Sequence, residues 1–242
     1  MGFDFTFNLE LFLVFVFLYF FLLYIYLRIK RRIVDKRLIN SVTSFDRGTD
    51  SERSLILGLL KRGFPATSIF HDLYLRKNDG KFSQIDLVIA TKQGIIVLEV
   101  KKYSGWIFGR ANQTNWTQML AYGKRRYRFY NPIKQNINHI KSLKAKLKQF
   151  DKIPFFSVIV FFGDCEFKKI DYVPRDTYIV KAHRVFEALD KIINENKPAS
   201  YLNKSEIVNV LKEAVNLGNN IEVINRHKND IEDMLGTNRI LK

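Results

Sequence analysis

Residues 84–105 read QIDLVIATKQGIIVLEVKKYSG, the longest stretch with a clear strand pattern around charged residues. Two runs rich in β-branched and aliphatic residues, 85–90 and 95–100, flank a short polar connection at residues 91–94. That composition predicts a β-hairpin. Three ionisable residues, Asp86, Glu99 and Lys101, interrupt its apolar runs.

The length of the connection determines where these three side chains point. Side chains alternate faces along a strand, so a two- or four-residue connection places Asp86 on the same face as Glu99 and Lys101. A three-residue connection would separate them. The opposite face is then wholly aliphatic and belongs in a core; it comprises Ile85, Leu87, Ile89, Ile96, Leu98 and Val100.

Two interpretations of this charged face remain open. In the first, the hairpin is half exposed and carries a cross-strand Asp–Lys pair worth a few tenths of a kcal/mol. In the second, the sheet is buried on both faces, because Val88, Ala90, Ile95 and Val97 make the charged face apolar as well. Buried carboxylates need a metal, a cation or a hydrogen-bond network, which favours a functional site.

Composition limits the partners and the chemistry. The chain has 242 residues and a net charge of +16, which favours a polyanionic partner: nucleic acid, anionic lipid or both. Cys165 is the single cysteine, so the chain has no internal disulfide and no thiolate metal cluster. The four histidines lack metal-ligand spacing and are expected at surface or core positions.

The N-terminal residues predict a membrane anchor. Residues 11–27 carry no charge and are rich in Phe, Leu and Tyr, and the basic run RIKRR follows at 28–32. A cleaved signal peptide would have basic residues before the apolar run and small residues after it. We therefore predict an uncleaved single-pass helix within residues 1–32, with the chain after it in the cytoplasm. Residues 33–48 are predicted as a linker.

Residues 49–180 are predicted to form one α/β domain. Thr49-x-x-Glu52 is a capping box that opens a helix, and Glu52 also lies near the apolar stripe of that helix. Strands are expected at 68–75, at 106–108, at 155–162, where a buried strand runs parallel to its neighbour, and at 177–180. Residues 181–242 form a predicted C-terminal helical segment, with amphipathic helices at 186–193 and 207–217.

Residues 110–130 mix aromatic and basic side chains. Such interleaving suits a nucleic-acid track, on which phosphates contact cations and bases stack. A solvated basic loop explains the composition equally well. The candidate nucleic-acid-binding residues are Lys124, Arg125, Arg126 and Arg128.

Phosphodiester hydrolysis is the chemistry that needs the hairpin residues together. Mg²⁺, or Mn²⁺ in its place, prefers oxygen ligands, so Asp86, Glu99 and the carbonyl between Glu99 and Lys101 make a credible half-shell. The metal lowers the pKa of a bound water and offsets phosphate charge. Lys101 lies on the same face and is suited to position that water or to neutralise the transition state.

The residues around the hairpin resemble the nuclease-related domain family, NERD, of the PD-(D/E)xK restriction-endonuclease-like superfamily. The signature is Asp86 followed by Glu99-Val100-Lys101. The resemblance spans residues 49–164 and extends to Glu52, Gln84-Ile85-Asp86, Gly94 to Lys101, Gly105, Trp116, Asn131-Pro132-x-x-Gln135, His139 and Leu143.

The resemblance implies a restriction-endonuclease-like fold, a mixed β-sheet flanked by helices. It also implies metal binding by Asp86 and Glu99, a catalytic role for Lys101, and supporting roles for Glu52 and Gln135. We therefore predict a Mg²⁺-dependent nuclease in a bacterial-type inner membrane, acting on DNA rather than RNA. The alternative is an inactive anchored scaffold that binds nucleic acid or protein with the same fold.

Overall fold

The structure, a computed structural model, describes residues 6–77, 79–147, 153–201 and 203–235. The first five residues of the predicted anchor and the last seven of the C-terminal segment lie outside these ranges. The helices are α1 Thr6–Asn40, α2 Asp50–Lys61, α3 Pro132–Lys146, α4 Val185–Glu195, α5 Lys204–Leu217 and α6 Ile221–Leu235. The strands are β1 Ile69–Arg76, β2 Phe82–Ala90, β3 Ile95–Lys102, β4 Gly105–Arg110, β5 Asn115–Leu120, β6 Arg125–Tyr130, β7 Phe155–Phe162, β8 Cys165–Asp171 and β9 Thr177–Lys181.

The predicted hairpin is the centre of a five-stranded mixed sheet with the order β1-β2-β3-β7-β9. Strands β1, β2 and β3 are antiparallel, whereas β7 runs parallel to β3 and β9 parallel to β7. The parallel placement of β7 and the strand at β9 confirm the sequence predictions. Ala90 pairs with Ile95, so the connection has four residues, and the register continues through Leu87 opposite Leu98.

Helices cover both faces of this first sheet. On one face α2 and α4 pack against Leu87, Ile89, Ile96 and Leu98. On the other face α3 and α5 pack against the second apolar set of the hairpin, Val88, Ile95 and Val97. The sheet is therefore buried on both faces, and the half-exposed interpretation of the hairpin is wrong. The mixed α/β fold class is confirmed.

One residue of the predicted aliphatic face lies on the opposite side. Ile85 packs with Leu73 in the α3/α5 core and not with Leu87 and Ile89. Next to it on β1, Asp72 has a φ of 55° in the left-handed region, which interrupts the regular alternation of side chains. The side chains before and after Asp72 and Asp86 therefore do not follow one regular alternation between the two faces of the sheet. A strict period of two does not predict this irregularity.

Residues 110–130 form strands and not a solvated loop. Strands β5 and β6 form a hairpin that continues a second, four-stranded sheet with the order β6-β5-β4-β8. Strand β8 runs parallel to β4 and was absent from the sequence prediction. Trp116 and Phe161 stack with ring centroids 6.4 Å apart and join the second sheet to β7 of the first.

The N-terminal helix continues beyond its apolar part. Helix α1 extends to Asn40 and so includes the first residues of the segment predicted as a linker. Nζ of Lys61 on α2 lies 2.6 Å from Oδ1 of Asp35, and Ile39 is buried. The following residues also pack against the domain, because Thr43 is buried and Arg47 donates to both Oδ2 and the carbonyl of Asp72.

Candidate active site

The end of β3 and the first turns of α3 bring three predicted residues into direct contact. Asn131 caps α3 by accepting from the amides of Ile133 and Lys134, which fixes the position of Gln135 one turn later. Nζ of Lys101 lies 2.6 Å from Oε1 of Glu99 and donates to Oε1 of Gln135 at 3.0 Å. Glu99 is only 1% exposed, so this network is desolvated on the carboxylate side.

Asp86 lies beside this network on β2. Its Oδ2 accepts the amide of Val100 at 2.7 Å, directly between Glu99 and Lys101. Burial and then the negative charge of Glu99 raise the pKa of Asp86 well above its ordinary value. The two carboxylates therefore repel each other within one buried site.

Glu52 reaches the same region from the first turn of α2. Thr49 caps the helix by accepting the Glu52 amide, and its hydroxyl donates to Oε1 of Glu52 at 2.7 Å. The other carboxylate oxygen, Oε2, lies 2.9 Å from Nε2 of His71. Glu52 thus both caps the helix and is buried beside the site, where its charge contributes to the raised pKa of Asp86.

Two histidines orient the two glutamates, and sequence reasoning assigned neither of them a role. Nδ1 of His71 lies 2.8 Å from the hydroxyl of Thr43, which completes a Thr43–His71–Glu52 chain. Nδ1 of His139 lies 2.9 Å from the hydroxyl of Ser83, and its Nε2 lies 3.2 Å from Oε2 of Glu99.

The signals for these histidines were weak. His139 follows Gln135 by four residues and therefore shares its helix face. His71 is a polar residue in the middle of an apolar strand, IFHDLYL. Neither feature names a partner, because the partners, Glu52 and Glu99, are separated from their histidines by many residues in the sequence.

The charges of the site separate its three carboxylates into two classes. Burial raises the pKa of Glu99, but the charges of Lys101 and His139 outweigh it, so the pKa lies below its ordinary value. The same balance applies to Glu52, whose pKa is lowered by hydrogen bonds from His71 and Thr49 against the effect of burial. Burial lowers the pKa of Lys101, but Glu99 and Asp86 reverse this and raise it, so Lys101 is protonated at neutral pH.

The donor set suits a hard divalent cation in part. Asp86 and Glu99 supply oxygen donors. The buried Oε2 of Glu99 has Nε2 of His139 at 3.2 Å but accepts no hydrogen bond of regular geometry in the part of the chain that the structure describes, so it keeps lone pairs for a cation. Within the described ranges, no group of three or more His, Cys, Asp and Glu side chains forms a ready metal cage. Mg²⁺ keeps several waters and needs few protein ligands, so two carboxylates fit it.

A cavity gives access beside these groups. It measures about 420 Å³ and opens between the first turn of α2 and the end of β3, with Glu52 and Val100 in its wall. The four basic residues predicted to bind nucleic acid lie elsewhere. Arg125, Arg126 and Arg128 are on β6 and Lys124 is in the turn before it, all of them exposed on the second sheet.

The mixed sheet carries a half-buried aspartate on β2 and a buried glutamate and a lysine near the end of β3, which is the arrangement that the nuclease resemblance predicts. Residues 47–162 match the family model NERD, nuclease-related domain. All five predicted site residues lie within the match. Helices α4 and α5, which complete both cores of the first sheet, lie after it.

One curated relative is similar to slightly less than half of the chain. An uncharacterized protein of Bacillus anthracis is 28% identical over 112 residues, which is 46% of this chain and 51% of that protein. The chain thus spans about half the length of the relative it matches. No solved structure shows a significant match to the chain.

Proposed function

We propose that this protein is a membrane-anchored, Mg²⁺-dependent nuclease that hydrolyses phosphodiester bonds of DNA at the cytoplasmic face of the membrane. The observation that carries the proposal is the convergence of Asp86, Glu99, Lys101 and Gln135 at one end of β3, inside a NERD domain. Asp86, Glu99 and the carbonyl of Val100 would hold the cation. When bound, the cation lowers the pKa of a coordinated water and offsets phosphate charge.

The other side chains of the site have two roles, which are to supply positive charge and to hold the charged groups in position. Lys101 is held between Glu99 and Gln135 and carries a raised pKa, so it contributes positive charge rather than acting as a base. That charge can stabilise the negative charge that develops on the phosphoryl group. Gln135 fixes the lysine ammonium in position, and His139 and His71 fix the two glutamates.

Charge and the NERD match support a nucleic acid as the substrate, and we propose DNA. The net charge of +16 favours a polyanion, and the basic side chains of the second sheet are exposed. Cutting of DNA and of RNA of matched sequence distinguishes the two nucleic acids directly. DNA is expected to be cut at the higher rate.

The decisive experiment compares two lysine variants of the full chain purified in detergent micelles. Lys101→Ala should reduce the DNA cutting rate with Mg²⁺ by about 10²- to 10⁴-fold, the usual loss for a positioned proton donor or charge. Lys92→Ala is the matched control, because Lys92 lies in the connection at the far end of the hairpin, and it should cut normally. EDTA should stop cutting by the wild type.

The outcome that overturns the proposal is wild-type inactivity with Mg²⁺ and with Mn²⁺ on single-stranded, duplex and branched DNA and on RNA. Circular dichroism of each variant separates loss of chemistry from loss of fold. An equally inactive Lys92→Ala variant would also contradict the assignment of Lys101.

A second candidate is an anchored scaffold without turnover. The observation favouring it is that Lys101 and His139 already contact the two oxygens of Glu99, at 2.6 and 3.2 Å. A scaffold would bind nucleic acid equally well in EDTA, in Mg²⁺ and with Asp86→Asn, and would never cut it. The nuclease requires cutting that Asp86→Asn abolishes.

The membrane anchor rests on helix α1. Its residues 11–40 are long and apolar enough in composition to cross a membrane, and its Phe and Leu side chains are exposed. The basic residues that follow the apolar part favour the cytoplasm for the domain. Carbonate-resistant membrane fractionation, protease protection and the intact mass of the mature chain test the anchor, its orientation and the absence of cleavage; a mature chain that lacks α1 would contradict the anchor.

A further inference from the structure

One face of the second sheet carries aromatic and basic side chains in register. Trp106 of β4 pairs with Met119 of β5, which pairs with Arg126 of β6. The neighbouring row is Phe108, Thr117 and Arg128. Residues paired across strands share a face, so these six side chains form one surface, named here the outer face.

The outer face is directed away from the core. Ile107, Trp116 and Phe129 alternate with its residues and pack inward against β7 and α3. The six outer-face side chains are partly or fully exposed. Adjacent strands are about 4.8 Å apart, so the backbone of each aromatic residue on β4 lies roughly 10 Å from that of the arginine in its row on β6.

The positive charge at one edge of this sheet is not neutralised. Arg126 and Arg128, with Lys124 and Arg125, form no ion pair among the residues that the structure describes. At the other edge, β8, Lys168 pairs with Glu166 at 2.6 Å, and Asp171 lies 3.4 Å from Arg110. The uncompensated charge is therefore concentrated on β6 and the turn before it.

The turn at the tip of the β5–β6 hairpin adds an exposed ring. Tyr122 is 93% exposed, and its ring lies 6.5 Å from that of Trp106 in an edge-on arrangement. Lys168 lies over the other ring, 5.1 Å from the centroid of Trp106. Rings beside unpaired cations are the elements with which proteins hold unstacked bases and their phosphates.

Strand β6, which carries the arginines of the outer face, also packs close to the candidate active site. Tyr103 follows Lys101 by two residues on the chain, and its ring lies 4.4 Å from that of Phe129 on β6. The strand with the unpaired arginines is thereby packed beside the end of β3 that carries Lys101.

We propose that the outer face and Tyr122 bind single-stranded nucleic acid and deliver it to the active site. The rings require unpaired bases, because a duplex hides its base faces in the stack. This inference rests on the proposed function for the identity of the bound strand as substrate. It specifies that the preferred substrate is single-stranded or has a single-stranded segment.

Binding is tested without cutting, using full-length Asp86→Asn protein in micelles with EDTA and a fluorescent oligothymidylate. Adding Tyr122→Ala should weaken binding by about fivefold or more, the loss expected from one stacking ring. Tyr172→Ala is the matched control. Like Tyr122, Tyr172 is exposed and has a positive φ, but it directly follows the last residue of β8 and is not in the β5–β6 turn. The control should bind as the parent does.

Salt dependence tests the phosphate contacts. Arg126→Gln with Arg128→Gln should reduce the slope of log affinity against log salt by about 1.4, or roughly 0.7 for each phosphate contact to a single strand. Lys191→Gln with Lys212→Gln changes the net charge equally, on α4 and α5, and should leave the slope unchanged. Equal effects of the two pairs would overturn the proposal.

Three further outcomes also overturn it: tighter binding of a blunt duplex than of the oligothymidylate, Tyr122-dependent binding of anionic vesicles instead of the oligonucleotide, or preferential binding of a polyglutamate peptide. Failure of the nuclease proposal looks different. Tyr122-dependent binding by a wild type that never cuts would preserve this binding site and reject the chemistry. Cutting that ignores Tyr122, Arg126 and Arg128 would preserve the chemistry and reject the site.

Discussion

Two hydroxyl–histidine–glutamate chains meet at the candidate active site, and they differ in where they begin. Ser83, His139 and Glu99 come from β2, α3 and β3, so that chain lies wholly within the NERD match. The other chain begins at Thr43, between α1 and α2 and before the match, and reaches Glu52 through His71. One glutamate is therefore oriented by the domain alone, and the other also depends on the segment that follows the apolar helix.

The largest expected difference between the chains is catalytic. Glu99→Gln should lower the cutting rate by about 10²- to 10⁴-fold, because Glu99 is proposed to hold the cation and contacts Lys101. Glu52→Gln should lower it by about 10- to 100-fold, as is usual for residues that support metal ligands. Single-turnover cutting rates at saturating Mg²⁺ measure both. Equal losses would contradict the division of roles.

The histidines should affect stability in both chains. His71→Ala and His139→Ala each remove the partner of one carboxylate oxygen of a buried glutamate, which costs about 1–3 kcal/mol of the free energy of unfolding. Urea unfolding of the full chain in micelles measures this free energy. As a control, His183→Ala removes an exposed histidine and should change it by no more than about 0.5 kcal/mol. A neutral His139→Ala variant would show that Glu99 needs Lys101 alone.

Asp86 has no histidine partner, and its contribution to the free energy of unfolding should change with pH in the opposite direction to that of Glu52 and Glu99. Its folded pKa is raised, so the ionised carboxylate destabilises the fold at pH above that pKa, and the penalty disappears as pH falls toward the unfolded value near 3.8. Asp86→Asn in EDTA should therefore stabilise the protein by about 0.5–2 kcal/mol at neutral pH, a usual gain at a functional site. The gain should shrink in acid.

Glu52 and Glu99 supply the contrast for that experiment. Their folded pKa values are lowered, so their stabilising contribution is present above an unfolded value near 4.5 and is lost as pH falls through the folded values. Mg²⁺ sharpens the test, because a cation that binds the folded state raises the midpoint of thermal unfolding. Wild type should gain from Mg²⁺ and Asp86→Asn should not; the same gain in both would reject Asp86 as a ligand.

The smallest effect is the coupling within one chain. Thr43→Val and His71→Ala should show a coupling energy of about 0.5–1.5 kcal/mol, since both disrupt the same hydrogen bond. Thr43→Val and His139→Ala share no contact and should be additive within about 0.5 kcal/mol. Double-mutant cycles on urea unfolding provide both values. Strong coupling across the chains would mean that they act as one network.

The comparison also explains how far sequence alone could predict the site. Periodicity placed Asp86, Glu99 and Lys101 together, because their spacing is local and the sheet is regular between residues 87 and 98. The capping box placed Glu52 for the same reason. Periodicity did not predict that the alternation of side chains is interrupted at Asp72 and Asp86. The left-handed φ of Asp72 is usually found at glycine, and an aspartate at this position does not indicate it.

Contacts between residues that are far apart in the sequence could not be predicted from it. For the second sheet the sequence predicts a short strand at 106–108 followed by a basic segment. The strand pattern of β6 is hard to recognise because arginines alternate with its aromatic residues in place of a regular apolar repeat. Strand β8 pairs with β4, but β5, β6, α3 and β7 lie between the two strands in the sequence. The sequence of β8, CEFKKID, is also only weakly apolar. Thr43 lay in a stretch read as a polar linker, although burial makes it part of the domain.

The unbroken course of α1 has a consequence for the proposed membrane anchoring. Residues 28–40 continue the helix beyond the apolar part for about 20 Å, at 1.5 Å per residue. Asp35 and Thr43 attach its end to the domain, so a membrane-spanning α1 would hold the candidate active site at one height above the bilayer and at one angle around the helix axis. One residue inserted among residues 28–34 would turn the active site by about 100° around the helix axis without altering any of its internal distances.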